Sequence, residues 1–327
     1  MKTVLKLLLA VVLLLAILAA GGYAWASGAS ADLLSRTVET HRVDFPVPYS
    51  AAANAGEPGE AEPGDGAADP PDGAVDALAQ AIERGEHLVH ARYGCADCHG
   101  GNLGGGTMMD AMPMGRFLGP NLTLGEGGVT ATYEPSDWDR AVRHGVGQNG
   151  RPLVMPAQEF KRMSDQELSD IVAYIRSLPP VDAEVTAVAL GPIGKFLVAR
   201  GIFGFAADGL SHDAPHVTMP PTTAADETFG AHLAATCTGC HKEDYTGGDI
   251  GGDPGWAPAA NLTAAGPMAD LGLEDFFRVM REGIRPDGTE VLEPMTFMLP
   301  AAQRMTDLEL EAIYLFLRSL PAKETTD

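Results

Sequence analysis

An internal repeat constrains this chain more than any other feature of its 327 residues. The sequence GCADCH at residues 94–99 recurs as TCTGCH at residues 236–241, so two Cys-x-x-Cys-His motifs stand 142 residues apart. Each motif is followed by an Asn-Leu-Thr triplet, at residues 121–123 and 261–263. A pattern that recurs in this order predicts two copies of one structural module in tandem.

The last helix of each module carries its own start and stop signals. Ser164 in the first module and Thr306 in the second each precede a glutamate by three residues, which is the pattern of a capping box, and a proline ends each helix. Apolar residues follow at helical spacing, and no run of alternating strand residues stands out. We therefore expect a mostly α fold, with two tandem helical domains at residues 78–180 and 227–323.

The two Cys-x-x-Cys-His motifs are typical of covalent haem attachment. Two sulfurs on one turn of chain can form thioethers with one porphyrin, and the adjacent imidazole is then held under the iron. A zinc site would need the two cysteine pairs about 15 to 20 residues apart, and a thioredoxin-like redox pair would need a βαβ context. The sequence therefore predicts two covalently bound haem c groups, held by Cys95, Cys98, His99, Cys237, Cys240 and His241.

A methionine thioether is the expected sixth ligand of each iron. In the first module Met155 lies in a loop just before the last helix; Met112 is a rival in a short Met-rich loop, where we expect soft filler near the porphyrin. In the second module both Met295 and Met298 precede the last helix. Asn121 lies 34 residues before Met155, and Asn261 lies 34 residues before Met295, so the spacing favours Met295. Met298, however, lies nearer the cap of the last helix.

Other histidines and the glycines carry weaker signals. His87 and His232 occupy matching positions in the repeat, and we expect them in the first helix of each module. Glycine-rich runs at residues 100–106 and 247–255 would let the backbone approach a flat cofactor closely. Four histidines without an equivalent in the repeat are expected to be surface or hydrogen-bonded residues, although any of them could replace a methionine on an iron: His90, His144, His212 and His216.

The N-terminus predicts export. The stretch from Leu7 to Ala26 is uncharged, and twenty residues at roughly 1.5 Å each span about 30 Å, the thickness of a bilayer core. It fits an uncleaved membrane anchor, which we prefer, and also a secretory signal cleaved near residues 24–26 or 29–31. Because lysines precede the apolar run, both versions place the modules on the periplasmic side of a bacterial inner membrane.

Acidic side chains outnumber basic ones by 44 to 22. This excess argues against a nucleic-acid ligand and favours redox partner proteins with a basic docking surface. After the signal-anchor segment at residues 1–30, residues 31–77 are rich in Ala, Gly, Pro and acids and predict a solvated tether. Residues 181–226 form a connector, in which we expect a helix or hairpin packed between the modules.

From residue 78 to residue 322 the chain resembles bacterial membrane-anchored di-haem cytochromes c of the class I type. The resemblance rests on CADCHG, GPNLT, DWDRAVRHGVGQNGRPLVMP and SDQELSDIVAYIRSLPPV in the first module, and on CTGCHK, PAANLT, FRVMREGIRPDG and MTDLELEAIYLFLRSLP in the second. It implies thioethers at the four cysteines, proximal ligands at His99 and His241 and a distal ligand at Met155. The segment EPMTFMLP departs from the family's Met-Pro pair.

These features predict outer-sphere electron transfer by a carrier or by the cytochrome subunit of a dehydrogenase or respiratory complex. Such a protein needs no side chain as acid, base or nucleophile. The alternative is a di-haem peroxidase with one open haem site, for which the loop around Met295 leaves room. A haem-based sensor is disfavoured because no signalling domain accompanies the modules.

Overall fold

Helices make up most of the regular structure, which confirms the mostly α fold. The computed structural model describes residues 2–49, 72–185, 188–250 and 255–325. The elements up to the end of the first module are α1 (Lys2–Ser35), α2 (Asp72–His87), α3 (Cys95–His99), β1 (Gly106–Ala111), β2 (Gly115–Gly119), α4 (Pro135–His144), α5 (Ala157–Phe160) and α6 (Asp165–Ser177). The connector and second module contain β3 (Ala189–Leu190), α7 (Pro192–Ala199), α8 (Glu227–Leu233), α9 (Thr238–His241), α10 (Leu273–Glu282), α11 (Leu299–Ala302) and α12 (Asp307–Ser319).

Each module is built on a contact between its first and last helices, α2 with α6 and α8 with α12. A glycine stands at each crossing, where a Cβ on Gly85 would lie 2.0 Å from the carbonyl oxygen of Asp170. A Cβ on Gly230 would lie 1.9 Å from that of Ala312. The helices therefore touch backbone to backbone, and only glycine fits at either position.

The last helices begin at capping boxes, as predicted. The hydroxyl of Ser164 accepts a hydrogen bond from the backbone N–H of Glu167, whose carboxylate accepts one from the backbone N–H of Ser164 in return. Thr306 and Glu309 repeat this arrangement at the start of α12. Two orphan N–H groups are thereby satisfied at each helix start.

A small antiparallel sheet in the order β1-β2-β3 differs from the sequence prediction. β1 is exposed along almost its whole length, so it has no alternation of buried and exposed residues to reveal it. Met108 and Met109 lie on this strand and Met112 on the following turn, where its side chain is 71% exposed. Met108, Met109 and Met112 thus lie on the hairpin of β1 and β2, and their role as filler near the porphyrin stays a prediction.

The N-terminal helix and the segment after it differ from the predicted boundaries. α1 runs to Ser35, five residues beyond the predicted anchor, and is the one helix in the described ranges long and apolar enough to cross a membrane. Residues 50–71 of the predicted tether lie outside the described part. Residues 36–49 instead pack on the first module, where Phe45 enters the core, and residues 72–77 belong to α2.

The connector packs against the first module and α1 rather than between the modules. β3 pairs with β2, and α7 lies against the C-terminal part of α1. The rings of Phe196 and Trp25 meet edge to face with centroids 6.3 Å apart, and the Lys195 ammonium donates to the Tyr23 hydroxyl at 3.2 Å. The predicted helix is present, but its apolar side chains meet the N-terminal helix because α1 offers them an apolar surface.

The two modules meet in a reciprocal set of ion pairs. His87 of α2 contacts the carboxylate of Glu309 at 2.8 Å, and His232 of α8 contacts that of Glu167 at 2.9 Å. These pairs occupy equivalent positions of the repeat, so the interface has approximate two-fold symmetry. Arg92 lies between them and donates to both glutamates at 2.7 Å.

The carboxylates of Glu167 and Glu309 stay ionised at this interface. Burial alone would raise the pKa of each, but the histidine hydrogen bond and the charge of Arg92 lower it to about 2. The ordinary value is 4.5, so this contribution to stability is complete above about pH 4.5 and is lost as the pH falls towards 2.

Replacing Arg92 with leucine should lower the free energy of unfolding by about 3–5 kcal/mol, because two buried carboxylates would lose their shared cation. Urea unfolding followed by circular dichroism measures the change. Arg116→Leu is the matched control, since Arg116 pairs with a half-exposed Asp110 and should cost less than about 1 kcal/mol. Equal losses in the two variants would contradict the central role of Arg92.

Candidate haem-binding sites

The first Cys-x-x-Cys-His motif forms the short helix α3. It begins after Gly94, whose φ of 57° is left-handed, so the chain turns sharply into the helix. Cys95 and Cys98 lie one turn apart, are half-buried and form no disulfide. Burial raises the pKa of the Cys95 thiol to about 12, so the sulfur is neutral.

The second motif repeats this arrangement with small changes. Cys237 ends a 3₁₀ turn at residues 234–237, and Cys240 lies on α9. Both thiols are free and half-buried, and burial raises the pKa of Cys237 to about 12. Each module therefore presents a pair of neutral thiols at the edge of its apolar core.

The imidazoles of both motifs have a defined orientation. Nδ1 of His99 donates to the carbonyl oxygen of Pro120 at 2.9 Å, and Nδ1 of His241 donates to that of Ala260 at 2.7 Å. Burial lowers the pKa of both rings, which keeps them neutral. With the proton on Nδ1, the lone pair on Nε2 is free for a metal, and the carbonyl serves as the outer partner that orients the ligand.

The Asn-Leu-Thr triplets position these two carbonyl groups, a role that sequence reasoning missed. The amide of Asn121 donates to the carbonyl of Val181, just after α6, and its oxygen accepts from Thr123. Asn261 donates in the same way to the carbonyl of Lys323, after α12. The recurrence of the triplet after each motif could have indicated a structural role. The backbone carbonyl groups that the asparagines bind cannot be identified from the sequence.

Met155 lies in the loop before α5, as predicted. Two residues earlier, the N–H of Leu153 donates to the carbonyl of Gly145 at 2.7 Å, and two residues later Ala157 begins α5. The side chain of Met155 is half-buried against the same core that Cys95 borders. The structure therefore brings this methionine and the first thiol pair to one apolar core.

The equivalent loop of the second module is four residues longer. The N–H of Val291 donates to the carbonyl of Gly283 as that of Leu153 does to Gly145, and α11 begins at Leu299. Seven residues therefore lie between Val291 and α11, where three lie between Leu153 and α5. Met295 and Met298 both lie in a 3₁₀ turn within this insertion. Met295 is half-buried, and Met298 is 41% exposed.

The donor set of each module fits haem c. Two neutral thiols one turn apart, an imidazole with a free Nε2 and a thioether-bearing loop are the groups that hold this cofactor. The first module also buries the indole N–H of Trp138 with no hydrogen-bond partner in the described ranges, and a haem would bring acceptor carboxylates into the module. Phe276, at the equivalent position of the second module, has no such donor.

Comparison with known families and proteins agrees with this geometry. Residues 80–175 match the family described as cytochrome c oxidase, cbb3-type, subunit III, and residues 229–321 match cytochrome c. A di-haem cytochrome c-type protein of Cereibacter sphaeroides is 24% identical over 76% of this chain and 88% of its own length. The chain is a di-haem cytochrome c. It carries two covalently bound haem groups, one for each module.

Several relatives of the cytochrome are subunits of dehydrogenases. The fructose dehydrogenase cytochrome subunit of Gluconobacter japonicus is 29% identical over 74% of this chain, and the match covers 53% of that protein. The gluconate 2-dehydrogenase cytochrome c subunit of Pantoea cypripedii is 26% identical over 75% of this chain, and the match covers 60% of it. The cytochrome thus spans between about half and three fifths of these two relatives.

The two attachment segments of the cytochrome lie at the interface between its modules. A Cβ on Gly239, inside the second motif, would lie 2.2 Å from Oε1 of Glu159 on α5 of the first module. A Cβ on Gly94, next to the first motif, would lie 3.6 Å from Ala301 on α11 of the second. Burial and the charge of Glu159 raise the pKa of Cys98 and of Cys240, so this carboxyl group acts on one thiol of each motif.

The midpoint potentials of the cytochrome should fall as the pH rises through about 7. Burial raises the pKa of Glu159 to about 7, and its deprotonation adds a negative charge that favours ferric over ferrous iron. Potentiometric titrations at several pH values should show a slope of at most about 59 mV per pH unit. The Glu159→Gln variant should remove this dependence of the potentials on pH. Glu243→Gln is the control, because Glu243 forms an exposed pair with Lys161, and it should leave the slope unchanged. A slope that survives Glu159→Gln would refute the role of Glu159.

Proposed function

We propose that this cytochrome transfers electrons between redox partners, as a carrier or as the cytochrome subunit of a membrane dehydrogenase. The observation that carries the proposal is the placement of both attachment segments at one interface, with Glu159 facing thiols of both motifs. Such a placement shortens the distance between two redox centres. The relatives named as dehydrogenase cytochrome subunits support the same reading, and nothing in these comparisons favours a di-haem peroxidase.

The proposed roles of the side chains follow from their positions. Bound haem iron supplies a one-electron couple. We assign the thioether bonds to Cys95 and Cys98 in the first module, and to the equivalent pair in the second. His99 and His241 act as proximal ligands whose Nδ1 protons are held by backbone carbonyls. The apolar cores beside them exclude water, and methionine ligands would raise the potentials.

The membrane anchor is proposed to remain in the mature protein. Both small-x-small cleavage sites fall within α1, which packs on α7 where Trp25 meets Phe196, and Ala26 and Ser30 beside them are buried. Cleavage there would expose the apolar residues of α7, which favours retention. The haem modules are then held on the periplasmic side of the bacterial inner membrane.

The proposed partners are proteins with a basic docking surface. The chain has a formal net charge of −22, so a basic surface would be attracted over a distance and the rate of association would fall with added salt. A dehydrogenase is the proposed donor because the relatives carry the names of such subunits.

Removing one attachment motif should leave one working haem. Protein matured in an exporting host should contain two covalent low-spin haems and accept two electrons in a reductive titration. Cys95→Ala with Cys98→Ala should leave one haem and one electron, and the matched change of Cys237 and Cys240 should do the same for the other module. A high-spin haem with peroxide-dependent turnover, or no covalent haem in the unmodified chain, would overturn the electron-transfer proposal.

Met295 is the proposed distal ligand of the second haem, because its spacing matches that of Met155 and it is less exposed than Met298. Met295→Leu should remove half of the methionine-to-iron(III) charge-transfer absorption and lower one potential, since the thioether favours ferrous iron. Met155→Leu should remove the other half, and Met298→Leu should change neither. Loss of the band in Met298→Leu alone would transfer the role to that residue.

A further inference from the structure

Four side chains from three separate segments converge beside α4, away from both attachment motifs. Asp139 and His144 lie on α4, His41 on the segment that follows α1, and His216 on the connector. Their ligand-type atoms all lie within 4.8 Å of one another. Asp139 and His144 are buried, and the other two are half-buried.

Two of these imidazoles face each other through their Nε2 atoms. Nδ1 of His41 donates to the carbonyl oxygen of His212, which leaves Nε2 without a proton. Nδ1 of His216 faces Oδ1 of Asp165 at 3.4 Å, and neither of these buried atoms has a hydrogen-bond partner among the described residues. Nε2 of His41 and Nε2 of His216 lie only 3.0 Å apart, so either a proton or a metal ion lies between these two nitrogens.

The position of the proton on the third imidazole, that of His144, follows from its contact with His212. Nε2 of His212 donates to the carbonyl of Ala207 at 3.0 Å, so Nδ1 of His212 is an acceptor. His144 must then donate from Nδ1, which lies 3.0 Å from that acceptor. Its Nε2 is left as a lone pair, 3.6 Å from Oδ2 of Asp139, and these two buried atoms have no hydrogen-bond partner among the described residues.

The shorter distances in the cluster are close to the edges of a small coordination sphere. Nε2 of His216 lies 3.7 Å from Oδ1 of Asp139, Nε2 of His144 lies 3.6 Å from Oδ2, and all four ligand-type atoms lie within 4.8 Å of one another. Tetrahedral zinc with bonds of about 2.0–2.1 Å has ligand atoms about 3.3 Å apart. Nδ1 of His41 and Nδ1 of His144 each have an outer hydrogen-bond partner, as ligand histidines do, and Nδ1 of His216 faces the Asp165 carboxylate at 3.4 Å.

The second module shows that the fold does not require this cluster. Arg143 contacts the backbone just before α6 and the carboxylate of Asp165. In the second module, Arg281 makes the same two contacts, with the backbone just before α12 and with the carboxylate of Asp307. At the positions equivalent to Asp139 and His144, however, the second module has phenylalanine and glutamate, at residues 277 and 282. The cluster is therefore an addition to the first module.

We propose that His41, His144, His216 and Asp139 bind one divalent transition-metal ion through three Nε2 atoms and one carboxylate oxygen. Three imidazoles and a carboxylate suit Zn²⁺ and its neighbours in the first transition row. Two carboxylates, Asp139 and Asp165, offset part of the charge of the ion and of Arg143. Four protein ligands and burial indicate a structural ion that fastens the N-terminal segment and the connector to α4.

Metal analysis of the haem-loaded protein tests this site, with haem iron as an internal standard. The full chain, purified without metal-affinity resin, treated with a chelator and re-supplied with Zn²⁺, should hold two irons and one zinc. Zinc-edge absorption spectra should show nitrogen and oxygen neighbours with imidazole scattering. His41→Ala with His216→Ala should lower zinc from about one to below about 0.1 per chain while both irons remain, which shows that the first module has folded.

His90→Ala is the matched control, since His90 is a half-buried histidine bonded to Tyr174 and lies outside the cluster. It should keep the zinc. Added Zn²⁺ should also raise the Tm of the chelator-treated parent and of His90→Ala, and leave that of the double variant unchanged. Zinc that stays below about 0.1 per chain in the parent, or equal zinc in the parent and the double variant, would overturn the proposal.

Discussion

The guanidinium of Arg92 is the group on which the arrangement of the two modules depends. It donates to Glu167 and Glu309, and each of these glutamates also completes the capping box at the start of its module's last helix. The start of α6 and α12 and the docking of the modules therefore share the same two carboxylates. His87 and His232 complete the set, so any other docking would leave buried charge unpaired, which is strongly unfavourable.

Local signals made the haem-bearing parts of the chain predictable. The Cys-x-x-Cys-His motifs and the capping boxes each lie within a few residues, and the structure places the capping boxes at the starts of α6 and α12, where they were expected. The loop position of Met155 followed from the repeat. The ligand roles stay predictions, and the choice between Met295 and Met298 depends on a four-residue insertion whose path the repeat does not specify.

Features that depend on distant partners were not predictable. β1 carries no alternating pattern because it is exposed along nearly its whole length, and Asn121 owes its role to a backbone carbonyl 60 residues away. The histidine cluster draws on positions from His41 to His216, so each member read singly resembles an ordinary hydrogen-bonded residue. Each of these features depends on contacts between residues that are far apart in the sequence.

The two modules have diverged in how they are attached to the rest of the chain. Residues 50–71, 22 in number, separate the segment before them from α2, so chain connectivity alone does not fix the position of residues 36–49. That position is held by Phe45 in the core and by the Ser169 hydroxyl, which donates to the carbonyl of Pro46. A metal ion bound to His41 would add a third contact that holds residues 36–49, which connect α1 to the first module.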